Sequence, residues 1–328
     1  MFICHNWAVS VVACSGTGGE GVWNSNSSGE EGEHWDTMSS PRQWEGNTQE
    51  AVSEALAHLA KPRSEALRRI FENYPTVFGE HPGLTNICAH DVDVGDSPPF
   101  KSVPYRVSPL KLPALKTEIE YMLSHGLIER GPVEWSSPVT LVPKADGTVR
   151  FCIDYRRLNG ISTTDAYPLP RVDDCVDQVG RARYLTKVDL VKGYWQVPLT
   201  KRAQEVCGFV VGGETYRCLV MPYGLKNAPA TFQALMNRIV AEIPHTTVYL
   251  DDVLIYDDDF EEHVQHIELL VSGLADAGLV VNLKKCEFVK ATVEYLGYVV
   301  GLGQVPPPPR LKCRPSRSSP SQRPRNRS

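Results

Sequence analysis

No C-x-x-C pair occurs among the nine cysteines, which are odd in number and scattered along the 328 residues. That excludes a paired disulfide framework and a finger-type zinc site, and it fits reduced thiols. Long apolar runs are also lacking: none approaches the ~20 residues of a membrane span. The opening Met1 to Cys14 has no positive flank of the signal-peptide kind, so neither a membrane span nor secretion is expected. Basic residues are not in excess, with 34 Lys+Arg against 39 Asp+Glu and a net charge of −5. A global positive field is therefore excluded as a means of holding a polyanion, and such binding has to rest on a local groove. The charge is graded along the chain: residues 1–60 carry one Arg against eight acids, and residues 301–328 carry seven Lys or Arg and no acid.

A hydrophobic content of 42% is enough for a buried core in one large or two ordinary domains. Residues 1–60 read mostly as a disordered acidic Gly/Ser linker. Gly16-Thr17-Gly18-Gly19-Glu20-Gly21 matches a dinucleotide fingerprint, but Val22 to Gly29 cannot form the packed helix that would hold a pyrophosphate. From Glu50 to Asn73 apolar residues recur at helical spacing around Pro62, and Ala114 to His125 reads as a helix stopped by Gly126. Val139–Val142 and Val149–Ile153 read as strands joined across Ala145 to Thr148. Beyond them come a strand ending at Asp189, a strand pair Val206–Val211 and Thr215–Val220, and a helix from Ala230 to about Glu242. A hairpin at Asp251, a helix Phe260–Ala277, and strands near Leu279–Asn282 and Val293–Val300 complete the pattern. The order β-α-β-β-α-β is that of a split, ferredoxin-like sheet. His263 and His266, three apart on the last helix and without a cysteine pair, read as surface histidines.

Tyr249-Leu250-Asp251-Asp252 sets adjacent carboxylates between apolar runs, a hairpin with acids at its turn. A structural turn avoids that repulsion with Asn-Gly, so a divalent cation is the expected reason, and oxygen ligands suit Mg²⁺. Two-metal phosphoryl chemistry needs a third carboxylate from elsewhere. Asp189 closes the run Tyr184 to Val188 and precedes Leu190-Val191-Lys192-Gly193-Tyr194-Trp195, which makes it the best candidate.

Leu185 to Leu199 followed by Tyr249-Leu250-Asp251-Asp252 resembles the two catalytic motifs of reverse transcriptases, in the wording of the gypsy-type LTR retrotransposon branch. Ser137 to Lys144, Asp146 to Arg150 and Asp154-Tyr155-Arg156-Arg157-Leu158-Asn159 resemble the family's fingers. Met221 to Gln233 resembles the motif that opens the palm helix, and Tyr295-Leu296-Gly297-Tyr298 resembles the primer grip. The likeness covers roughly residues 65 to 305.

The resemblance implies an α+β right-hand polymerase with fingers, a ferredoxin-like palm and a partial thumb. Its implied activity is RNA-directed DNA polymerisation with two Mg²⁺ ions, Mn²⁺ being a possible substitute. Asp189, Asp251, Asp252 and the Leu190 carbonyl would hold the metal, and one lysine of Leu283-Lys284-Lys285, with the pattern leaning to Lys284, would protonate the leaving pyrophosphate. Lys144, Arg150, Tyr194, Tyr223 and Gly224 would meet the nucleotide, with Tyr194 as a steric gate against ribose. Pro229, Phe232, Gln233, Leu296, Gly297 and Tyr298 would meet primer or template. The implied partners are an RNA or DNA template with primer and a dNTP, together with the RNase H and integrase regions of a parent polyprotein. The expected compartment is the cytoplasm, with the nucleus or virus-like particles as further destinations. On this reading residues 1–60 are linker, 61–135 lead into the fingers, and 136–305 form fingers, palm and the start of the thumb. Residues 306–328 form a basic Pro/Arg/Ser tail whose abrupt onset after Gly303-Gln304-Val305 reads as a frameshift, the alternative being a genuine disordered tail that binds RNA loosely; genomic DNA with no longer frame downstream would sink the frameshift reading. The alternative function is an inactive relic or a co-opted nucleic-acid-binding protein.

Overall fold

The computed structural model describes residues 46–143, 149–180 and 182–302. The palm is a four-stranded sheet of β4 (Tyr184–Asp189), β7 (Thr246–Tyr249), β8 (Asp252–Asp257) and β9 (Glu287–Lys290), in the order β7-β8-β4-β9 and antiparallel throughout. With helices α7 (Ala228–Val240) and α8 (Phe260–Asp276) between strands, it has the expected ferredoxin-like order. Both faces of this sheet are covered. Val188, Val253 and Ile255 pack in the core that α7 and α8 share, whereas Leu185 and Leu254 point into a second cluster with Val176, Val179, Val293, Tyr295 and Val300. Coverage on both sides explains why Val253 to Tyr256 reads as a continuous apolar run rather than an alternating one. Val176 and Val179 belong to α5 (Val172–Val179), and the other members to a hairpin of β10 (Thr292–Tyr295) and β11 (Tyr298–Gly301).

A second sheet forms the fingers from β1 (Ile128–Arg130), β2 (Ser137–Pro143), β3 (Val149–Ile153), β5 (Gly208–Val211) and β6 (Glu214–Cys218), in the order β1-β6-β5-β2-β3. The expected β2–β3 hairpin is present, with Val139 opposite Ile153. The β5–β6 pair, expected in the palm, lies instead in this sheet, because β5 pairs in parallel with β2 through Ser137↔Phe209. A parallel partner some 70 residues upstream leaves no local mark in the chain. Strand Leu279–Asn282 is also corrected: Val281 makes only isolated bridges to Phe78 and Leu190, and the fourth palm strand is β9, further along. Val206 belongs to α6 (Lys201–Val206), capped by the Thr200 hydroxyl, which accepts from Ala203 N at 3.1 Å.

The N-terminal helices α1 (Gly46–Leu56) and α2 (Lys61–Asn73) pack on the palm, α1 against β9 and α2 against α8. Val52 and Leu56 are buried, Phe71 meets Phe288 of β9 with ring centroids 5.0 Å apart, and Arg63 lies 4.5 Å over the Phe260 ring. Helices α3 (Leu112–Ser124) and α4 (Arg156–Ile161) are the remaining α-helices among the described residues, and Gly126 at φ 64° ends the turn after α3. Among the described residues, no helix is long and apolar enough to cross a membrane.

Candidate active site

Asp189 and Asp252 are opposite one another in the β4–β8 register, and Tyr249 faces Asp252 across β7–β8. Leu250 and Asp251 alone therefore make the turn. Leu250 is at φ 55°, left-handed backbone that costs a branched L-residue about 1–2 kcal/mol. The turn is held from beneath. Gln233, fully buried on α7, accepts the Leu250 N–H at 2.7 Å and donates to Val248 O at 3.0 Å and Asn237 Oδ1 at 2.9 Å. Asp189 is fixed by its backbone: Asn282 N donates to its carbonyl at 2.9 Å, and its own N–H points to Cys286 Sγ at 3.4 Å. Burial pushes the Cys286 thiol up to about 12, so it stays protonated there.

Like charges directly opposite in a sheet repel, and the site answers with cations. Lys285 Nζ donates to Asp189 Oδ1 at 3.2 Å and Oδ2 at 3.4 Å, and Lys187 Nζ stands 3.5 Å from Asp252 Oδ1 while donating to Glu294 O at 3.1 Å. Asp251 has no such ion pair among the described contacts. Burial raises its carboxyl above the usual range, and Asp252 and Asp189 push it the same way. Three acids on oxygen ligands, two of them already drawing ammonium groups, fit a divalent hard cation.

Around this centre, Tyr194 stacks on Tyr223 at 5.2 Å and packs against Phe232 at 5.3 Å. Gly193 is required there, because a Cβ would lie 2.9 Å from Phe232 Cζ. Burial, then Asp251 and Asp189, push the Tyr223 hydroxyl up to about 12, and Arg150 opposes them. Gly224 sits at φ 101°, its carbonyl accepting from Asn159 Nδ2 at 2.8 Å; Asn159 Oδ1 in turn accepts from Lys226 N at 3.0 Å. Pro229 opens α7, and Phe232 is buried under the site beside Gln233. Leu190 is buried and bridged to Val281. Leu296 (φ 51°) and Gly297 (φ 85°) form the two-residue turn between β10 and β11, with Tyr298 opposite Tyr295. Lys187 ties this hairpin to Asp252.

Lys284 is not brought to the carboxylates; its Nζ is paired with Glu80 Oε1 at 3.0 Å on the surface, and its neighbour Lys285 takes the place at Asp189. The sequence reading missed Lys187 and Lys285 as counter-ions. The alternation of β4 placed Lys187 on the same face as Asp189 and was the available signal. Lys144 lies outside the described residues.

An antiparallel palm with carboxylates at the end of its central strand and the tip of the adjoining hairpin, set beside a fingers sheet, defines the right-hand polymerase fold. Residues 142–300 match the family model described as reverse transcriptase (RNA-dependent DNA polymerase), and this region of the chain belongs to that family. It is 34% identical over 264 residues to the retrovirus-related Pol polyprotein from transposon 297 of Drosophila melanogaster, a match covering 77% of this chain and 25% of that protein. The Transposon Tf2-3 polyprotein of Schizosaccharomyces pombe is 34% identical over 196 residues, 59% of this chain and 15% of that one. The chain thus spans a quarter or less of these curated relatives. Among solved structures, the Prototype Foamy Virus protease-reverse transcriptase CSH mutant superposes with a TM-score of 0.72 at 31% identity, covering 77% of this chain and 35% of that one. A foamy viral protease-reverse transcriptase in complex with an RNA/DNA hybrid superposes with a TM-score of 0.74 at 23% identity, covering 80% of this chain and 37% of that one.

Proposed function

We propose that the chain is an RNA-directed DNA polymerase that adds deoxynucleotides to a primer 3′-hydroxyl on an RNA or DNA template. The observation that carries this reading is the convergence of Asp189, Asp251 and Asp252 at one end of the palm sheet. Asp189 and Asp251 would hold two Mg²⁺ ions, with Asp252 and the Leu190 carbonyl as further ligands. When bound, the ions supply activation of the primer hydroxyl and charge neutralisation on the leaving pyrophosphate. Lys285 would yield its place at Asp189 to the cation, which frees its ammonium for the pyrophosphate. Arg150, a planar fork on β3, suits a triphosphate, and Gly224 suits close approach of backbone to nucleotide. The turn of Leu296 and Gly297 would hold the primer terminus. A hybrid duplex, held by the foamy viral relative, is the class of nucleic acid proposed for the site of Asp189, Asp251 and Asp252.

Tyr194, braced by Tyr223 and Phe232, would exclude a 2′-hydroxyl. Tyr194→Ala is expected to raise ribonucleotide relative to deoxynucleotide incorporation by about tenfold or more. Steady-state kinetics with matched dGTP and GTP measure this, and an unchanged ratio would remove the gate. For the lysines, Lys285→Met is expected to lower kcat by roughly tenfold to a hundredfold, and Lys284→Met to change it less than about twofold. Single-turnover rates of the two variants decide the assignment, and the reverse order would return the role to Lys284. The activity itself is tested by extension of a DNA primer on an RNA template. Product made on neither RNA nor DNA templates, with binding intact, would favour the nucleic-acid-binding relic.

A further inference from the structure

A second cluster of ligating side chains lies at the other end of the β7–β8 hairpin, four β7 residues from the carboxylate turn. At ~3.4 Å per residue this is roughly 15 Å away. Asp257, which ends β8, has a fully buried carboxylate. Its Oδ1 lies 2.8 Å from His245 Nδ1 and 2.9 Å from His266 Nδ1, and its Oδ2 lies 2.7 Å from His263 Nδ1. The two residues read as surface histidines are thus turned inward, His263 fully buried and His266 nearly so, because α8 presents this face to the end of β8.

The role of His263 follows from its partners. Val289 N–H donates to Thr186 Oγ1 at 3.0 Å, so the Thr186 hydroxyl is left to donate to His263 Nε2 at 2.8 Å. Nδ1 then carries the proton and is committed to Asp257 Oδ2. Three imidazole nitrogens converge on the buried Asp257 carboxylate, which is their common acceptor. Two imidazoles and one carboxylate oxygen remain, their ligand atoms all within 4.8 Å of one another.

We infer that His245, Asp257 and His266 form a zinc-binding site that staples the base of the hairpin carrying Asp251. Two imidazoles and a carboxylate with an open fourth position are a zinc donor set. Bonds of about 2.0–2.2 Å place tetrahedral ligands about 3.4 Å apart, so the two histidine–carboxylate spacings, 2.8 and 2.9 Å, need to open by about half an ångström. His245 is 56% exposed, which leaves the fourth position to water, and its φ of 49° holds the ring toward Asp257 in a conformation uncommon for a non-glycine residue. His263 orients the liganding carboxylate from behind, the usual outer-shell arrangement. On binding, His245 and His266 each give up the Nδ1 proton to solvent and, where the ring was neutral, take one at Nε2, so that two neutral imidazoles face the ion in place of the N–H groups against Oδ1. Imidazole donors set this site apart from the all-oxygen Mg²⁺ centre. The ion would join the start of β7, the end of β8 and α8.

The test is titration of the full, chelator-treated chain with ZnCl₂ by calorimetry in excess Mg²⁺, with Co²⁺ absorption reporting coordination and thermal melts reporting the staple. One-to-one zinc binding, tetrahedral cobalt bands and a raised Tm are expected. His245→Ala, which truncates an exposed ring, should weaken zinc binding by about tenfold or more, as should His266→Ala, while exposed His125→Ala should leave it unchanged. Absence of zinc binding and of a melting shift would overturn the inference, as would stoichiometric binding that neither His245→Ala nor His266→Ala weakens.

Discussion

Asp251→Asn is expected to reduce primer extension by about 10³-fold or more while leaving the metal-free fold at least as stable as the parent. The two effects have one cause. Burial and the neighbouring Asp252 and Asp189 raise the folded-state pKa of Asp251 above its unfolded value. Between those two values the folded chain binds the extra proton, so stability falls as pH rises through that window and stays lowered above it. Asparagine removes the charge and with it that loss, but also removes a proposed metal ligand. Melting curves in chelator across the acidic to neutral range should show the parent losing stability relative to Asp251→Asn as pH rises. Mg²⁺ should then raise the parent Tm more than that of the variant, because only the parent keeps the full ligand set. An Asn variant that still extends primers, or one less stable than the parent without metal, would break the link between strain and catalysis.

Gln233→Leu is the second large effect. Its side chain makes three hydrogen bonds, among them the one that satisfies Leu250 N in the left-handed turn. Losing them should cost about 2–4 kcal/mol by denaturant midpoint. Extension should fall by roughly 100-fold, because Asp251 is then no longer held in place. Primer–template affinity separates the roles. Affinity within a few-fold of the parent identifies Gln233 as a positioning residue under the hairpin. A large drop in affinity with little loss of stability would make it a nucleic-acid contact.

The convergence of Asp189, Asp251 and Asp252 was legible because its signals are local: an acid pair in a two-residue turn, and an acid at the end of an apolar strand, are visible within ten residues. The palm order was legible for the same reason, since hairpins and helices announce themselves by period. The acidic run from Asp257 to Glu262 was not, because one residue type serves three ends there. Asp257 is a buried acceptor, Asp259 caps α8 by accepting from Glu261 N at 2.9 Å and Glu262 N at 3.1 Å, and Glu261 and Glu262 complement the helix dipole. The inward turn of His263 and His266 depended on the buried Asp257 carboxylate that both meet and, for His263, on Thr186, far back in the chain. The choice between Lys284 and Lys285 depended on which way a single turn of 3₁₀ helix at Leu283–Lys285 faces. The β5–β6 pair was misplaced because parallel pairing with β2 is a property of the assembled sheet.

The most direct measurement is extension of a labelled DNA primer on an RNA template by the purified full chain with Mg²⁺ and deoxynucleotides, run beside a primer–template binding assay. Template-directed product from the parent, lost in Asp251→Asn while binding persists, is the expected result. Tight binding by a folded parent with no extension in Mg²⁺ or Mn²⁺ would contradict polymerase function and leave a nucleic-acid-binding protein on a polymerase fold.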